Sequence, residues 1–174
     1  PFWGAPASQA QRWLTSTKPA DDIDIGIPEF RLTEEAGLKT KLPAKSVWQM
    51  HGAGAVGGLT LVGIPMLHRL LSKLDSSAAI WPFNTGWREL GEEDIAPLSA
   101  LVVEVLPSMF KSVSQENAEG IKEYKTQAQV RAAAEAFAIM DDEGKLQKAF
   151  APPAKTSATA IKKVENEEGW ILGI

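Results

Sequence analysis

The stretch KSVWQMHGAGAVGGLTLVG, Lys45 to Gly63, decides how the rest of the chain is read. Ser46 to Met50 reads as a strand, and the glycines after it permit a sharp turn. Beyond them Val56, Leu59, Val62, Met66, Leu70 and Leu74 recur every three or four residues, the spacing of one buried helical stripe. Pro65 has no N–H to give the Leu61 carbonyl, so the helix is predicted to kink at Gly63-Ile64-Pro65 or to restart with Pro65 in its first turn.

Gly52, Gly54 and Gly57 have the spacing with which dinucleotide-binding domains hold a pyrophosphate: a tight turn, a close approach to phosphate, and close packing of the following helix. Such a site also needs an acid at the C-terminal end of the second strand, to hold the ribose. Here that strand ends WPFNT and offers Asn84 and Thr85, while Asp75 lies at about the right count but before the strand. Two readings stand, a nucleotide site and a purely structural turn.

Working outward, residues 1 to 30 hold scattered Pro and Gly and an acidic patch, DDIDIGIPEF, and read as irregular surface chain with a short helical possibility at Ser8 to Leu14. Thr33 is the expected N-cap of a short helix that Pro43 ends. AAIWPF (Ala78 to Phe83) and SALVVEVL (Ser99 to Leu106) are apolar runs bounded by turn residues, as expected for strands covered on both faces. Thr126 and Gln129 form a predicted capping box for a helix whose apolar face is Val130, Ala133, Ala134, Phe137 and Met140. A shorter helix over roughly 142 to 150 is expected, then a linker at 151–160, then a last helix carrying Ala158, Ile161 and Val164 that Gly169 closes. Alternating strands and helices make this an α/β domain with a mixed sheet and packed helices.

With 174 residues, 44 % hydrophobic and 23 % charged, the chain is one ordinary globular domain in size, and no apolar run approaches the ~20 residues that span a bilayer. A cytoplasmic protein with no membrane partner is expected. There are no cysteines and only two histidines, His51 and His68, so any metal must rest mainly on carboxylates. A net charge of -4 demotes unspecific nucleic-acid binding without excluding a local basic groove. The chain opens on Pro1 and reads as the C-terminal part of a larger protein whose missing N-terminal segment packs against it.

Six segments carry a resemblance: PFWG (1–4), VWQMHGAGAVGGLTLVGIPML (47–67), IWPF (80–83), VEVLPSMF (103–110), KTQAQVRAAAEAF (125–137) and EEGWILG (167–173). In this order they resemble the C-terminal part of an uncharacterised bacterial family, frequent in alphaproteobacteria and similar to predicted RNase H-like nucleases. Its members often carry labels from molybdopterin guanine dinucleotide or cobalamin biosynthesis. The resemblance implies an RNase H-like fragment whose parent processes nucleic acid with Mg or Mn, the alternatives being a nucleotide-binding module and a non-catalytic interaction scaffold. It implies a first aspartate upstream of Pro1, a second carboxylate at Glu104, and a third position at Thr126, where a hydroxyl replaces the acid and supplies no charge. It also assigns the glycines to a motif ending in Gly63-Ile64-Pro65, which favours the structural turn.

Glu104 stands out on physical grounds too, because it interrupts the apolar run LVVEVL, and a buried carboxylate must be paired, protonated or metal-bound. An ion pair with Arg31, Arg69, Lys125 or Arg131 is the plain alternative. His51, at the end of the first expected strand, is a candidate for the same crevice. Arg31 suits a phosphate or carboxylate, with pairing to Glu34 or Glu35 as the other reading. Trp48 and Trp81 are expected in the core.

Overall fold

The computed structural model describes residues 2–19, 28–42, 44–74, 77–111, 120 and 122–174. The acidic residues at 21–27, Pro43 and Asp75 lie outside them. The chain divides into two compact units, Pro1–Ser76 and Ser77–Ile174.

In the first unit β1 (Phe2–Trp3) pairs in parallel with β2 (Leu14–Thr15), Phe2 opposite Leu14. The strand expected at Ser46 to Met50 is reduced to one residue, Gln49, bridged in parallel to Trp3. Ser46 explains the loss. Its hydroxyl accepts the Trp48 N–H (3.1 Å) and its carbonyl the Gln49 N–H (3.2 Å), so a turn takes the groups a ladder would use. Trp48 is half-buried, edge-on to Phe2 with ring centroids 5.2 Å apart, and donates its indole N–H to the Pro28 carbonyl (3.3 Å).

Helix α1 (Leu32–Lys39) starts before Thr33, which is fully buried within the first turn and is not the cap. The cap function falls to Glu34, whose carboxylate accepts the backbone N–H of Arg31 at 2.8 Å. Helix α2 (Gly57–Leu74) runs through Pro65 without a break. Its apolar stripe is helical as predicted but lies open to water: Leu59 is 75 % exposed, Val62 67 % and Met66 58 %. Among the described residues of this unit, the buried apolar side chain is Ala5, and the buried polar ones are Thr33, Glu34 and Ser46.

In the second unit β3 (Ala78–Ile80) and β4 (Ala100–Val102) pair in parallel, Ala79 opposite Leu101. Both are shorter than the apolar runs that contain them. After β3, the Asn84 side-chain carbonyl accepts the Ile80 N–H and the Asn84 N–H returns to the Ile80 carbonyl, each at 2.8 Å, closing a turn that ends the strand. After β4 the chain leaves β3, and Glu104 forms a single parallel bridge with Ile171, the Leu172 N–H donating to the Glu104 carbonyl at 2.9 Å.

Around this pair come α3 (Glu92–Ile95), α4 (Lys125–Asp142), α5 (Leu146–Ala149) and α6 (Ala158–Lys163), which continues as one wider turn over Val164–Glu168. Helix α4 starts one residue before its expected cap. Gln127, not Gln129, reaches back to the N–H of the residue before the helix, Tyr124 (3.0 Å). Ser157 caps α6 by accepting the Ala160 N–H (3.2 Å), and Gly169, at φ +69°, closes its end as the sequence predicts. The core gathers Trp81, Leu90, Phe150, Val164 and Trp170. Trp81 meets Phe150 edge-on at 5.6 Å, and Trp87 stacks at a tilt on Trp170 with centroids 4.4 Å apart. Helices with small parallel sheets make this a mixed α/β chain, and no described helix is long and apolar enough to cross a membrane.

Candidate functional site

The candidate residues fall in both units, Arg31, His51 and the glycines in the first and Glu104 in the second. Within the first unit, the glycine loop is built for backbone proximity. A Cβ on Gly57 would stand 2.3 Å from the Val47 carbonyl oxygen, and one on Gly58 2.7 Å from that of Met50, so both glycines let α2 start hard against the 47–50 turn. Gly52 and Gly54 are exposed and take φ of +113° and +76°, where a side chain is strained. Lys45 passes beside this loop, its Cε 3.4 Å from where a Cβ would sit on Gly54. His51 is exposed in the same bend, and its carbonyl accepts the Gln49 side-chain N–H at 3.3 Å.

Arg31 is held by a carboxylate on its own helix. Its Nε donates to both oxygens of Glu34 at 3.0 Å and its terminal nitrogen lies 2.5 Å from Glu34 Oε1, with the Glu34 side chain almost wholly buried. The pairing reading of the sequence describes this geometry.

Glu104 departs from its expected surroundings. It is exposed, beyond the C-terminal end of β4, not packed between two faces of a sheet. The reason is the local topology: the chain leaves β3 at Val103, and the bridge to Ile171 fixes the Glu104 backbone while its side chain stays at the surface. Its place at a strand's C-terminal end, next to a parallel neighbour, is where open α/β sheets gather ligands.

Thr126, the position of the third acid in the resemblance, lies in the first turn of α4 and lines a shallow groove of about 410 Å3 with Gln127, Val130, Arg131 and Ala134. Arg131 is engaged there by Glu123 and Glu135, each at 3.0 Å, and these carboxylates, Glu123 first, strengthen its hold on its proton. Among the described residues no three His, Asp or Glu side chains are placed to hold a metal ion. Glu104 by itself does not make a site for Mg or Mn, which need several oxygen ligands.

Sequence reasoning missed Glu165. Its Oε1 accepts the backbone N–H of Trp87 at 2.7 Å and lies 3.4 Å from where a Cβ would stand on Gly86, tying the end of the chain to the loop after β3. Seventy-eight positions separate the partners, so no local pattern announces the contact.

No family model matches the chain, and neither a curated protein nor a solved structure matches it.

Proposed function

We propose that this chain is part of an RNase H-like protein that cleaves or processes nucleic acid with divalent metal, and that Glu104 is its contribution to the metal site. The observation that carries the reading is the placement of Glu104, an exposed carboxylate whose backbone is pinned by Ile171 just past the C-terminal end of a parallel strand. A second support is the size of the sheet. Three residues in each of two parallel strands are short for an independent sheet, which fits β3 and β4 as part of a larger one. On this reading the remaining metal ligands lie outside the described residues.

The test is cleavage of a labelled oligonucleotide in Mg or Mn by the full-length protein. Glu104→Gln is expected to lower the rate by about a hundredfold or more, with the melting curve unchanged. The 174-residue chain alone is expected to cleave nothing. Full activity in the Gln variant overturns the reading, and cleavage by the chain alone overturns the placement of the remaining ligands outside it.

A nucleotide-binding loop is the second reading, and Lys45 beside Gly54 ahead of α2 is the observation in its favour. The glycines are otherwise accounted for by backbone packing, so calorimetric titration with NAD or NADP is expected to show no saturable binding. Micromolar binding abolished by Gly54→Val would establish the second reading in place of the structural turn.

A further inference from the structure

We draw no further inference here: the strongest candidate, the exposed apolar surface of helix α2 around Leu59, Leu61, Val62, Ile64 and Met66, carries nothing because nothing in the structure shows what covers it.

Discussion

Gly57 and Gly63 sit six residues apart in one helix and answer to opposite constraints. Gly57→Ala drives a methyl group into the Val47 carbonyl and is expected to destabilise the 47–58 segment by about 1 to 3 kcal/mol. Gly63→Ala meets open space and is expected to stabilise the helix by about 0.5 to 1 kcal/mol. Amide exchange at Gly57, whose N–H donates to the Gln49 carbonyl, measures the first, and helical circular dichroism in a denaturant series measures the second. Equal effects would contradict the geometry. At Asp94, hydrogen bonds from Arg88 above all, and from the Gly91 N–H, hold the carboxyl at about 2, below its usual 3.8. The sign follows: the lowered value means that the pair's contribution is whole above the ordinary carboxylate range and disappears as pH falls through about 2. A carboxyl chemical-shift titration of Asp94 is expected to show its midpoint near 2, and a midpoint near 4 would refute the pairing. Glu104 was legible as an unusual acid because charge breaks an apolar run. Its exposure was not legible, because it depends on where the chain leaves β3.

Among the elements, helix ends were read within a few residues, and the errors have a common origin. At α1 and α4 the expected Thr caps are displaced by side chains one turn in, Glu34 and Gln127, that reach back to the preceding N–H. Serine chemistry undid the strand at Ser46 to Met50, and Asn84 shortened β3. Periodicity found α2 correctly but says only that a face is apolar, not that its neighbours in the first unit cover it. Contacts between distant segments left no pattern at all, and Glu165 is the clearest case. Glu165→Ala leaves the Trp87 N–H without its acceptor and is expected to cost about 1 to 3 kcal/mol in a urea melt followed by tryptophan fluorescence. A loss below about 0.5 kcal/mol, the range of ordinary surface substitutions, would show that this bond does not hold the loop after β3.

For the molecule as a whole, apolar burial is uneven. The second unit contains the tryptophan core, while in the first Leu59, Leu61, Val62, Ile64, Met66 and Leu70 of α2 lie exposed. Composition, which averages over both units, cannot report this. The central claim is that the exposed carboxylate past β4 is a metal ligand. The most direct test is a manganese titration of the full-length protein, followed by the paramagnetic resonance of free Mn, in the native sequence and in Glu104→Gln. The account predicts that the Gln variant binds Mn at least about tenfold more weakly while melting at the same denaturant concentration. Equal affinity in the two proteins would contradict it.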